Sequence, residues 1–296
     1  MNAVGQKTFG IDHPLVTVKD HSAVLSQYRA MGFSPSPVSH HPWGTVTSNV
    51  TFPGNFIEII GVGDPSMFGT NSANGFCFGR RIGDYLERGD QGISILALHS
   101  KDADSDHKKL VAAGLESQGR VDFRRRMMLP DGSPDEAVVS LALFIDSVNP
   151  DISNFLCHQH RPELIWVKSW QQHANSVDGI QAVTYIGDPD VIYRRWKTIY
   201  GERVLHTADC VSVDTGCGIL RAFSPEYAAV YYSGVQLPTG NISGPRAISI
   251  TLNTPRPDAL REILTLNNVP YVERDGRILI SPENAGNVIL EFISNH

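Results

Sequence analysis

The chain has few cysteines, a deficit of positive charge and no long apolar run. Its four cysteines, Cys77, Cys157, Cys210 and Cys217, are scattered and lack close metal-type spacing. That pattern excludes a disulfide framework and a zinc knuckle. Lysine and arginine number 25 against 31 acidic residues, for a net charge of −6. Nucleic acid needs a basic face, so no such partner is expected. No stretch reaches about twenty apolar residues, so no membrane partner is expected. The first twenty residues hold no continuous apolar core and read as no secretory signal; the cytoplasm is the expected compartment. The G-x-G within "GVGDPSMFG" (61–69) follows a strand pattern and opens no helix. It does not make a phosphate cradle.

The composition that remains, 41% hydrophobic and 19% charged over 296 residues, is that of a soluble globular chain of about two domains. The only tight basic run is Arg124, Arg125 and Arg126. It reads as a solvated strand or loop edge, with a clamp for a substrate carboxylate as the alternative.

Hydrophobic periodicity repeats one pattern four times. "IDHPLVTV" (11–18) reads as a strand, and the helix after it carries Val24, Leu25, Tyr28 and Met31 on one stripe. Asp20 can cap that helix and Gly32 end it. Two or three strands follow, including "TVTSNVTF" and "NFIEIIGV". Similar strand–helix–strand units start at "GISILALHS" (92–100), "GIQAVTYIGD" (179–188) and "AISITLNT" (247–254). Their expected helices carry Leu110 with Val111, then Ile192, Trp196 and Ile199, then Leu260, Ile263 and Leu264. Residues 61–91 form a glycine-rich connection with a short helix pattern at Ile82, Tyr85 and Leu86, expected to lie over a pocket. Residues 161–178, with Trp166 and Trp170, read as a linker that packs.

Two carboxylates sit inside apolar strands: Glu58 in "NFIEIIGV" and Glu291 in "VILEFI". Burying an unpaired carboxylate is costly, so each needs a partner. Strand alternation puts Phe56, Glu58 and Ile60 on one face, with Ile57 and Ile59 on the other.

The order of these units, with "IDHPLVTVKD" (11–20), "HPWGTVTSNVTFPGNFIEIIG" (41–61), "CHQHRPELIW" (157–166) and "HANSVDGI" (173–180), resembles the vicinal oxygen chelate superfamily, in its glyoxalase-like branch. The resemblance implies an α+β fold in which four βαβββ units form two cup-shaped modules. The expected division is 1–165, with units one and two, and 166–296, with units three and four. The resemblance further implies a divalent metal, Fe, Mn, Zn or Ni, held in a cup by the first and last strands of paired units. Residue by residue, His13 and Glu58 take ligand positions in unit one. Unit two offers Ile93 or Ser94 and then Cys157 or His158, unit three Gln181 and Arg221 or Leu220, and unit four Ile248 or Ser249 and Glu291. If unit one pairs with unit four, His13, Glu58 and Glu291 converge. If it pairs with unit two, His13 and Glu58 meet His158 or His160. The first pairing is preferred, because it gives Glu291 a reason to be buried.

His41, before a glycine turn, and His160 are the candidate catalytic side chains, as substrate contacts or bases near the metal. His173 is expected to fix the linker turn. The implied function is a metal-dependent enzyme that chelates vicinal oxygens of a small substrate for lyase- or isomerase-type proton transfer. Glu58 or Glu291 would serve as base. Ring cleavage by a dioxygenase through His13, Glu291 and His160 is the second enzyme reading. The third is a non-catalytic protein that sequesters a small molecule in a metal-free cup, with His13 simply bonded to Glu58. The expected partner is a small molecule, and exposed sheet edges make a homodimer reasonable.

Overall fold

In a computed structural model, which describes residues 7–240 and 244–294, the repeat becomes two sheets. The first is built from β1 (Ile11–Thr17), β2 (Ser39–His40), β3 (Thr45–Phe52), β4 (Asn55–Val62), β5 (Gly92–His99), β6 (Gly119–Met128), β7 (Pro134–Phe144) and β8 (Asn154–Gln159). The second contains β9 (Gly179–Ile186), β10 (Leu205–His206), β11 (Cys210–Asp214), β12 (Ile219–Phe223), β13 (Arg246–Asn253), β14 (Val272–Arg274), β15 (Arg277–Ile280) and β16 (Ile289–Ile293). Their strand orders are β2-β3-β4-β1-β5-β8-β7-β6 and β10-β11-β12-β9-β13-β16-β15-β14. Within each unit the first and last strands run parallel, and two units join through their first strands, β1 with β5 and β9 with β13, antiparallel. Unit one therefore pairs with unit two, and unit three with unit four. This corrects the preferred pairing of units one and four.

The helices are α1 (His21–Ala30), α2 (Phe78–Glu87), α3 (Ala103–Ala112), α4 (Pro189–Tyr200), α5 (Pro225–Tyr231) and α6 (Pro257–Leu266). α1 starts where the Asp20 carboxylate accepts the Ala23 N–H, and the chain leaves it through Gly32 at φ +86°. The expected stripe residues Val24, Leu25 and Tyr28 are buried. In α3 Leu110 is buried, but Val111 faces outward, one residue round from the stripe. One apolar core takes α1, α3, α4 and α6 together with the inner strand faces of both sheets, including Ile57, Ile59, Val183, Trp196 and Leu264. Asn55 ties the sheets together: its amide accepts from Ile180 N–H and donates to the Ile180 carbonyl, at 3.0 and 3.2 Å.

The opposite face of the first sheet lines a cup. The glycine-rich connection closes over it: α2 sets Phe78 against Phe155 and Trp43 on the cup wall. Phe68 packs over α2 so closely that a Cβ on Gly79 would fall 2.6 Å from its ring. The linker packs as expected. His173 receives the Ser34 N–H on Nδ1 and contacts the Thr51 carbonyl through Nε2, and Trp166 meets Phe56 edge-on.

Candidate functional site

The first cup brings three of the five expected side chains together. His13 projects from β1, Glu58 from β4, and His41 from the turn between β2 and β3. His13 Nε2 stands 3.3 Å from Glu58 Oε2, and His41 Nε2 stands 3.6 Å from Glu58 Oε1. The Thr47 hydroxyl donates to Glu58 Oε1 at 2.7 Å. Phe56 stacks on the His13 imidazole at 4.1 Å, and His41 stacks on Trp43 at 4.8 Å. The enclosed space is small, about 40 Å³. It continues past His41 and Arg125 into an open groove of about 1160 Å³.

The other two expected residues lie elsewhere. β8 alternates, so Phe155, Cys157 and Gln159 face the cup. His158 and His160 therefore fall on the opposite side. There His160 Nε2 meets the Ser140 hydroxyl at 2.8 Å and its ring packs on His158 at 4.0 Å. Glu291 belongs to the second sheet, far along the topology from His13. Its carboxylate is fully buried and fully satisfied. Arg221 and Thr251 bond Oε2, the latter at 2.6 Å, while Tyr231 and Arg277 reach Oε1 at 2.9 and 3.0 Å. Two guanidinium groups neutralise this acid, so the second cup has a built-in cation. Burial would raise the Glu291 pKa; Arg221, Thr251 and Arg277 outweigh it and hold the group below its ordinary range. The expected convergence of His13, Glu58 and Glu291 is thus replaced by two separate carboxylates, each with its own partners. The set His13, Glu291 and His160 is likewise not assembled.

Sequence reasoning passed over Asp12. It is fully buried beside His13, and a register shift in β1 between Ile11 and His13 re-aims its side chain. Asp12 Oδ1 holds His13 Nδ1 at 2.6 Å and Oδ2 holds His99 Nδ1 at 2.5 Å; His99 Nε2 donates to the Gly54 carbonyl at 2.7 Å. Burial opposes charge on His99, but Asp12 prevails and lifts its pKa to about 10. Asp12 itself stays ionised, below the carboxylate range, because both imidazoles outweigh its desolvation. Burial likewise works against Glu58, yet the His13 contact, His41 and Thr47 bring it down to about 2. His13 is raised, since the contacts with Asp12 and Glu58 overcome desolvation. His41 is pushed down to about 3 by burial and is a free base at neutral pH.

This donor set suits a divalent metal in its first half. A carboxylate on Nδ1 fixes the imidazole so that Nε2 faces the Glu58 carboxylate, the arrangement that metal-binding histidines use. The second half is apolar. Leu15 and Ala97 each stand six residues before their helix, and they pair with Glu58 and Phe155 respectively. Phe155 therefore occupies the position in unit two that Glu58 occupies in unit one, and Ile95 that of His13. Cys157, His41 and the amide oxygens of Asn49 and Gln159 are further donors on the wall, and Asp12, His13 and Cys157 bring ligand atoms within 4.8 Å of one another. Replacing Asp12 by asparagine keeps the shape but removes the charge behind His13. Mn(II) affinity, measured by chelator competition, is expected to fall about 10- to 100-fold. An unchanged affinity would mean that His13 does not bind through Nε2.

The comparisons agree with this architecture. The family model described as a glyoxalase-like domain matches residues 11–200. The chain belongs to that family and carries the vicinal oxygen chelate fold. Among solved structures, a hypothetical protein from Staphylococcus aureus is similar at TM-score 0.67 and 12% identity, over 97% of this chain and 99% of that one. A triple mutant of 4-hydroxymandelate synthase from Streptomyces coelicolor is similar at TM-score 0.57 and 12% identity, over 98% and 93%. The Mn(II)-bound glyoxalase from Novosphingobium aromaticivorans is similar at TM-score 0.52 and 10% identity, over 97% and 82%. At these identities the likeness is one of fold. No curated protein matches the sequence significantly.

Proposed function

We propose that the protein is a glyoxalase-like, metal-dependent enzyme acting on a small oxygenated substrate in the first cup, by proton transfer of the lyase or isomerase type. The observation that carries this reading is the Asp12–His13–Glu58 alignment, an imidazole fixed from behind and facing a buried carboxylate. His13 and Glu58 would hold the metal. A divalent ion held there would supply Lewis acidity to an oxygenated substrate. Metal-dependent catalysis on this fold has a structural neighbour in the Mn(II)-bound glyoxalase.

The chain's own groups supply the rest. Asp12 keeps His13 Nε2 aimed into the cup, and Phe56 stacked on the ring limits its rotation. Phe78, Phe123, Phe155 and Trp43 exclude water, which strengthens every polar contact inside. Glu58 would hold the ion through the oxygen that faces His13, and its other oxygen, fixed by Thr47, would be the proton acceptor. His41, uncharged and placed where the cup meets the groove, is the group through which that proton leaves. On this reading the working unit is residues 1–165, the compartment is the cytoplasm, and a second copy is the expected protein partner. Among the described residues no helix is long and apolar enough to cross a membrane.

The test uses protein loaded with Mn(II) and candidate hydroxy and keto substrates in deuterated water. Proton transfer incorporates deuterium next to a carbonyl without consuming dioxygen. Oxygen uptake without exchange would move the assignment to a dioxygenase. The second reading, a metal-free binding protein, is favoured by Ile95 and Phe155 in the two ligand positions of unit two. Ligand binding that is indifferent to added metal would support it.

A further inference from the structure

The tight basic run is not uniform. β6 alternates, so Arg124 and Arg126 are exposed while Arg125 is 9% exposed and turned into the first cup. Arg124 is paired with Glu136 at 2.9 Å. Of the other two acids of the groove, Asp135 is held by Arg161 at 2.5 Å and Asp64 accepts from the N–H and hydroxyl of Ser66. Arg125 has no hydrogen bond or ion pair among the described residues. Glu58 acts on it only from beyond ion-pairing distance and already carries His13 and Thr47. His41 lies beside it at the junction of cup and groove and makes no bond to it. A guanidinium buried this far without a counter-charge costs the fold energy that a bound anion recovers.

We infer that the first cup takes an anionic substrate, a hydroxy carboxylic acid, whose carboxylate is bound by Arg125 at the junction of cup and groove. The inference rests on the cup being the reactive site and adds the substrate class to that reading. Three further wall atoms point the same way, being buried with no partner among the described residues: Trp43 Nε1, Asn49 Oδ1 and Gln159 Oε1. The indole N–H suits a carboxylate oxygen. The two amide oxygens are acceptors and suit substrate hydroxyls. A guanidinium receives a carboxylate through two parallel bonds, which fixes orientation as well as charge. With the head group there, the cup is too small for the body of the molecule. The open groove, lined by Val38, Met67, Met127 and Met128, takes it.

The experiment is isothermal titration of 3-phenyllactate and of its uncharged counterpart 3-phenyllactamide, on metal-stripped and on Mn(II)-loaded protein. The wild type is expected to bind the acid at least about tenfold more tightly than the amide, in both states. Arg125→Met is expected to abolish that preference, and Arg125→Lys to keep part of it. Arg125→Gln replaces the methionine variant if the latter does not fold. Equal affinity for acid and amide, failure of the wild type to bind either, or a preference that survives Arg125→Met would overturn the inference. If the preference holds in metal-stripped protein while Mn(II) binds elsewhere, the Arg125 site stands and only the metal reading falls.

Discussion

Glu291→Ala is expected to destabilise the protein by about 3–5 kcal/mol, the cost of breaking a buried ion pair from one side. Among the described residues Glu291 on β16 is the one acid shared by Arg221 on β12 and Arg277 on β15, and both arginines are largely buried. Truncation leaves Arg221 with no acid and Arg277 with only the exposed Asp275, and it unpairs the Tyr231 hydroxyl. The check is the urea denaturation midpoint at neutral pH. The same contact sets an acid limit. Because Glu291 is held below its ordinary pKa, its contribution is fully present above the unfolded-state value and is lost as pH falls through the folded-state value. The wild-type advantage over Glu291→Ala should therefore shrink at acid pH and not at alkaline pH. A variant as stable as wild type would mean that this network is not formed.

His13→Ala carries the largest expected functional effect. The substitution removes one of the two protein ligands proposed for the metal, and the loss should exceed the roughly 100-fold cost of disturbing a supporting residue. Metal retention and activity should fall together. The Asp12–His99 pair does not depend on His13, so the sheet junction at Gly54 is expected to persist. Circular dichroism and a urea midpoint separate that outcome from unfolding. Retention of metal by His13→Ala would show that the ion sits elsewhere, with Cys157 and Asp12 as the nearest donors.

Much of this was legible in the sequence, for local reasons. Asp20 and Gly32 bracket α1 because capping chemistry acts within four residues. Glu58 was placed on the cup face by strand alternation alone, and the βαβββ order was readable from periodicity. Pairing of the units was not legible. It depends on β1 meeting β5, some eighty residues on, and no residue in either strand announces the partner. With that pairing unknown, the burial of Glu291 is legible but its cation is not; Arg221, at a ligand position of unit three, is itself the counter-charge. His160 failed on parity, since one residue along a strand reverses its face. Asp12 was passed over because an ideal strand points it away from its neighbour, and the register shift in β1 removes that restriction. In the run Arg124–Arg126 the same period of two separates one buried guanidinium from two solvated ones.

The account stands on an ion between the first histidine and its carboxylate. The most direct measurement is anomalous diffraction at the manganese edge from crystals grown with Mn(II). A single strong peak within coordination distance of His13 Nε2 and the Glu58 carboxylate, absent from His13→Ala crystals, is the predicted result. No peak at that position, with the imidazole still bonded directly to Glu58, would contradict it.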